Sequence, residues 1–125
     1  MTKPVCKRVL CLDDDPAILR MYEKYFGQNV RFHAVSTTED AFRVIRVQTD
    51  ISIVTVDGHL MPDDIEGPDF VRIAKPRLPH GIFIGASSDR EMSFLLERAG
   101  CQYSRTTKID AAQLVLDLIH GRVKP

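Results

Sequence analysis

No apolar run in this 125-residue chain approaches the roughly 20 residues that a membrane-crossing helix needs, so no membrane role is expected. The opening stretch MTKPVCKR carries no apolar signal segment, and a cytoplasmic location is the expectation. Charge of one sign is also missing. Seventeen basic and seventeen acidic residues give a formal net charge of zero, which supplies no general pull toward nucleic acid or anionic lipid. Cysteine is scarce: Cys6, Cys11 and Cys101 are odd in number and lack C-x-x-C pairing, against a disulfide scaffold or a zinc knuckle. His33, His59, His80 and His120 are scattered, with no H-E-x-x-H or other ligand spacing. Neither G-x-G-x-x-G nor G-x-x-x-x-G-K follows the first apolar run, which lowers the case for a nucleotide enzyme of the common types. Internal repeats and low-complexity tracts are absent.

What the chain does have is enough apolar residue, 44%, for one proper core, so residues 1–125 are expected to form one domain, with 121–125 a frayed end or linker. Two stretches organise it. In VLCLDDDP, Val9 to Leu12 runs into Asp13, Asp14 and Asp15; in IVTVDGHLMPDDIEG, Ile53 to Val56 runs into Asp57, and Asp63, Asp64 and Glu66 follow in the loop. Two buried-strand candidates therefore each finish on carboxylate. In a parallel sheet such ends meet at one edge.

The remaining elements alternate with these. Asp15-Pro16 suits the start of a first helix with an apolar stripe of Ile18, Met21, Tyr22, Tyr25 and Phe26, stopped by Gly27. Val30 to Val35 reads as a second strand with Phe32 inward, and Thr37 with Asp40 caps a second helix with Ala41, Phe42, Val44 and Ile45 inside. Ile51 to Val56, apolar almost throughout, is the central strand. Pro68 opens a short third helix containing Phe70, Val71, Ile73 and Ala74, and Pro76 and Pro79 keep it from running on. Gly81 to Ala86 is the fourth strand. Ser88 to Glu91 fits a capping box for a fourth helix, with Phe94, Leu95 and Ala99 inward and Gly100 as its stop. Residues 102–107 are the weakest strand, and Asp110 heads a last helix with Leu114, Val115, Leu118 and Ile119 inward. Five strand-helix units in this order define an α/β fold, a doubly wound parallel sheet covered on both faces.

The carboxylates have a chemistry of their own. Three acids brought together repel unless a cation sits among them, and all-oxygen donors suit Mg²⁺ or Mn²⁺. Asp13, Asp14 and Asp57 are the candidate metal ligands, against a reading in which they form a solvated rim.

With the acidic pair after strand one, Asp57 ending strand three, and Met61-Pro62 and Gly67 beyond it, the whole chain resembles a response-regulator receiver domain of two-component signalling. The loop is longer than the family's by one residue before Met61 and another before Gly67. The resemblance implies a (βα)5, flavodoxin-like strand order 2-1-3-4-5. It makes Asp57 the phospho-accepting nucleophile and Asp14 a direct Mg²⁺ ligand. Asp13 binds through water or orients the water, and the backbone carbonyl of His59 is a further ligand. A hydroxyl ends strand four in that family. If Ser88 caps the fourth helix, Ser87 is left free for that task. A Lys-Pro pair ends strand five. Here the pattern falls nearest Thr107, the only lysine nearby is Lys108, and Ile109 stands in place of proline. A trans Lys108-Ile109 bond is expected. The ammonium then either reaches the phosphate side from a different angle or misses it. The family's switch aromatic on strand five has no clear counterpart, since Ser104 or Arg105 holds its place and Tyr103 is the one ring nearby.

Two functions are compatible with these residues. One is a phosphorylatable switch, served by a histidine kinase or a histidine phosphotransfer protein docking at helix one. Such a switch acts on a downstream protein or a second copy through helix four, strand five and helix five. A dedicated enzyme is not the expectation; Mg²⁺-dependent self-phosphorylation and slow loss of phosphate are the most expected of it. The other is a pseudo-receiver that signals by binding alone. A metal-dependent phosphohydrolase needs an added general acid, for which Asp63 has no independent signal.

Overall fold

The computed structural model describes residues 8–28, 30–48 and 50–123. Its five strands are β1 (Arg8–Leu12), β2 (Arg31–Val35), β3 (Ile51–Asp57), β4 (Ile82–Ala86) and β5 (Tyr103–Arg105). They alternate with α1 (Pro16–Phe26), α2 (Thr38–Val47), α3 (Gly67–Ala74), α4 (Arg90–Ala99) and α5 (Lys108–Ile119), and a 3-10 turn at Lys75–Arg77 follows α3. All strand pairs are parallel, in the order β2-β1-β3-β4-β5. The expected (βα)5 arrangement is the observed one, with β3 at the centre. Cys6 and residues 124–125 lie outside the described residues.

Alternation along the strands divides the core. Leu10, Leu12, Val54, Val56 and Phe83 join Ala41, Ile45, Phe70, Val71, Met92 and Leu96 on one face of the sheet. Val9, Cys11, Ile53, Ile82 and Ile84 join Tyr22, Phe26, Ala111, Ala112, Val115 and Leu118 on the other. Cys11 lies buried in β1 as a small apolar residue; burial pushes its thiol up to about 12, and burial does the same at Cys101. Phe32 is half-buried, edge-on to Phe26 at 5.4 Å between ring centres. The local start signals work for α1 and α2. Asp15 accepts from Ala17 N–H at 2.9 Å ahead of Pro16, and Thr37 Oγ1 accepts from Asp40 N–H at 3.1 Å.

Three expectations fail on the far side of the sheet. Phe94 and Leu95 do not face inward: Phe94 is 56% exposed, and Met92 and Leu96 are buried instead. Glycine within β4 and just beyond β3 decides this. A Cβ on Gly85 would come within 2.9 Å of Leu96 Cδ1, and one on Gly58 within 2.0 Å of Met92 Cγ, so α4 seats these two side chains where the backbone below is bare. Ile73 is 47% exposed, because Phe70, Val71 and Ala74 already fill the inner face of α3. The capping box at Ser88 does not form. Asp89 is the cap, its carboxylate accepting from Glu91 and Met92 N–H, and Ser88 is exposed. Gly100, at φ +129°, stops α4 as expected. The last helix begins two residues before Asp110: Thr107 caps it, taking Asp110 N–H at 3.1 Å, and Lys108 stands in its first turn. Ile119 near its end is half-buried.

Candidate phospho-acceptor site

The register of the sheet assembles the site. Leu12 is opposite Val56, so Asp13, the next residue, arrives beside Asp57; Asp57 is itself opposite Ala86, which Ser87 follows. Asp13 is buried at 2% exposure and fixed in place, its N–H donating to Val35 O and its Oδ1 accepting from Asp15 N–H at 2.9 Å. One oxygen each from Asp13, Asp14 and Asp57 can lie within 4.8 Å of one another.

The Lys108 ammonium reaches this cluster. It stands 3.0 Å from Asp57 Oδ1 and 3.0 Å from Asp13 Oδ2, and donates to the Ala86 carbonyl at 2.6 Å. Its bond to Ile109 is trans. Because Lys108 sits in the first turn of α5, immediately after the Thr107 cap, its side chain runs back over the strand ends instead of into solvent. The Asp57 carboxyl is pushed up to about 6, first by burial, with Lys108 opposing and the Asp13 charge adding to the rise.

Ser87 is buried at the end of β4. Its N–H donates to Arg105 O, and its Oγ accepts from Asp89 N–H at 3.2 Å. His59 is exposed, its imidazole standing between Glu66 Oε2 at 3.5 Å and Asp89 Oδ2 at 3.3 Å. The contact with Asp89 had no signal in the sequence, since its two ends are 30 residues apart. Asp89 as cap did have one: Asp is as good an N-cap as Ser, and it stands directly before Arg90.

The lengthened loop is anchored, not loose. Gly67 N–H donates to Gly58 O at 2.9 Å, and a Cβ on Gly67 would lie 2.3 Å from Asp57 O. Asp64 takes both the N–H and the hydroxyl of Thr38, at 2.9 and 2.5 Å, which ties the loop to the head of α2. Those hydrogen bonds hold the Asp64 carboxyl below its usual range against the effect of burial. Asp63 is exposed on the same loop.

No protein-family model matches the chain, and no curated protein matches it in sequence. Solved structures do match. The BeF3-activated DrrB receiver domain, DrrB being a Thermotoga maritima protein, is similar at 22% identity over 93% of this chain and 99% of that one, with a TM-score of 0.76. A CheY-like response regulator receiver domain protein from Methanospirillum hungatei is similar at 20% identity over 93% and 95%, TM-score 0.76. NtrX from Brucella abortus is similar at 16% identity over 94% of this chain but 27% of its own, TM-score 0.79. This chain therefore has the fold of response-regulator receiver domains. Its acidic cluster is of a kind that can hold a divalent cation. Among the described residues, no helix is long and apolar enough to cross a membrane.

Proposed function

We propose that this domain is a signalling switch that accepts a phosphoryl group on Asp57 from a phosphohistidine of a histidine kinase or histidine phosphotransfer protein. The single observation that carries the reading is the convergence of Asp13, Asp14, Asp57 and Lys108 at the carboxyl edge of the sheet. An Asp57 oxygen attacks phosphorus, the phosphorus–nitrogen bond of the donor breaks, and the imidazole leaves with the electron pair. Mg²⁺ would be held by the oxygens of Asp13, Asp14 and Asp57, with the His59 carbonyl as a further ligand by the resemblance, and would supply the positive charge that three carboxylates and a dianionic phosphoryl group need in order to meet; Mn²⁺ would suit the same donors. Lys108 pairs with a phosphoryl oxygen, and Ser87 donates its hydroxyl proton to another.

Surface features fit the expected partners. A cavity of about 430 Å³ is lined by Ala17, Arg20, Met21, Lys24, Tyr25 and Ile109, and the 57% exposed Ile109 supplies one apolar wall. This groove beside α1 suits the phosphodonor. On the opposite flank, Phe94 and Leu95 are exposed on α4, with Arg98 over the Phe94 ring at 5.7 Å, a surface suited to a downstream protein or a second copy across α4, β5 and α5.

Intact-mass measurement after acetyl phosphate and Mg²⁺ tests the reading. The wild type should gain about 80 Da, the mass of the phosphoryl group in an acyl phosphate. Asp57→Asn should gain nothing, and neither protein should react with Mg²⁺ chelated. A folded wild type that stays unmodified with Mg²⁺ and a phosphohistidine donor leaves the binding-only module as the function.

A further inference from the structure

Arg105, the last residue of β5, is a cation without a carboxylate. Its Nη1 donates to the Ser104 carbonyl at 2.7 Å, and its guanidinium carbon lies 5.7 Å from the Tyr103 ring centre. Among the described residues no acid pairs with it, whereas Arg8, Arg43, Arg72 and Arg122 each have one. Its backbone is fixed, because β5 pairs with β4 there and its carbonyl takes Ser87 N–H at 3.1 Å. Only the side chain is at liberty to turn.

The sheet decides what lies within its reach. Asp57, Ala86 and Arg105 stand at one level on three neighbouring strands. Ile53, Ala86 and Tyr103 pack on the face covered by α1 and α5, and side chains two or four places further along a strand share its face, so Asp57 and Arg105 both belong to that side. Their backbones are two strand spacings apart, about 10 Å, and Ala86 between them carries only a methyl group. An extended arginine crosses most of that gap, and a phosphoryl group projecting from Asp57 crosses the rest.

We infer that Arg105 is the second cation of the phosphorylated site: its guanidinium leaves Tyr103 and pairs with a phosphoryl oxygen on Asp57. The inference rests on Asp57 being the phospho-acceptor. Phosphorylation replaces a single carboxylate charge by close to two. The Lys108 ammonium is already shared between Asp57 and Asp13, so the added charge has no partner among the groups now in contact with Asp57. The planar fork of a guanidinium matches phosphoryl oxygens, and a charge-assisted pair of that kind is stronger than the half-exposed stacking on a ring and the bond to a neutral carbonyl that it replaces. Withdrawal of the guanidinium uncovers the Tyr103 ring, so the charge on Asp57 alters the β5 surface at the edge of the sheet.

The test uses the whole chain in Mg²⁺ with BeF3⁻ as the phosphoryl analogue. In a crystal structure of the wild-type complex the Arg105 guanidinium should lie within hydrogen-bonding distance of a fluorine and off the Tyr103 ring. By calorimetric titration, Arg105→Gln should weaken BeF3⁻ binding by about tenfold, and Arg105→Lys, which keeps the charge but loses the fork, by clearly less. Thermal unfolding establishes that both variants are folded. A wild-type complex with the guanidinium still over Tyr103 overturns the inference, as does wild-type affinity in Arg105→Gln. Equal weakening by glutamine and lysine also overturns it, since a loss of packing and not of charge would then be responsible. A wild type that neither binds BeF3⁻ nor gains mass from acetyl phosphate overturns the phospho-accepting reading and this inference together, whereas a modified wild type with an unmoved Arg105 overturns the inference alone.

Discussion

Lys108 and Asp57, 51 residues apart in the chain, meet at 3.0 Å. The same ammonium reaches Asp13, so one cation is shared between two carboxylates that the parallel register forces together. A metal ion entering the cluster would share those oxygens with the ammonium, and that competition sets the electrostatics of the site.

Removing the lysine should therefore tighten metal binding. In Lys108→Ala the repulsion between an ammonium and a divalent ion disappears, which at a few ångströms in a partly solvated site is on the order of 1 kcal/mol, or about fivefold in affinity. Mg²⁺ titration followed by tyrosine fluorescence or calorimetry checks this. Weaker binding in the variant would mean that Lys108 organises the ligands instead of competing with the ion.

Metal affinity should also fall on acidification. Burial, opposed by Lys108 and reinforced by the Asp13 charge, pushes the Asp57 carboxyl up to about 6, so it is ionised and ready to bind above pH 7. Below about pH 6 a proton competes and the affinity should drop by up to about tenfold per pH unit. The sign for stability is opposite. With the folded pKa above the unfolded value, protonated Asp57 is favoured by the fold; that contribution is fully present below the unfolded pKa and is lost as pH rises through about 6. Without metal, thermal unfolding should accordingly show Asp57→Asn gaining on the wild type as pH is raised from 5 to 7.

Gly58→Ala should destabilise the domain by about 1–3 kcal/mol, because the new methyl overlaps Met92 Cγ on a buried, tightly packed face. Met92→Ala alone should also be destabilising, by about 2–5 kcal/mol, through the cavity it leaves. Combined, the two should cost less than their sum, since each relieves the other. Urea denaturation of the four proteins measures the coupling; strict additivity would refute the contact.

Asp64→Ala should cost about 1 kcal/mol, the value of a lost helix cap, because Thr38 N–H and its hydroxyl both lose their acceptor. Asp63→Ala, on the exposed neighbour, should be within about 0.5 kcal/mol of wild type. Equal losses in the two variants would contradict the anchoring of the loop to α2.

The sequence by itself determined the features that depend on a residue and its near neighbours. Apolar strands running into Asp13 and Asp57, the stripe of α1, the caps at Asp15 and Thr37 and the stop at Gly100 are all local, as is the strand-helix alternation that implies a parallel sheet with its acids at one edge. Tertiary structure decided what depends on approach between distant segments. Which side of α4 faces the sheet was settled by the bare backbone at Gly58 and Gly85, not by the helix's own pattern, in which Phe94 and Leu95 look as apolar as Met92 and Leu96. Whether the Lys108 ammonium meets Asp57 depended on where α5 starts relative to the end of β3, and the His59 and Asp64 partners lie 30 and 26 residues away. Such pairs leave no periodic trace in the chain, because sheet register and helix seating, which no short window of residues encodes, set the distance between them.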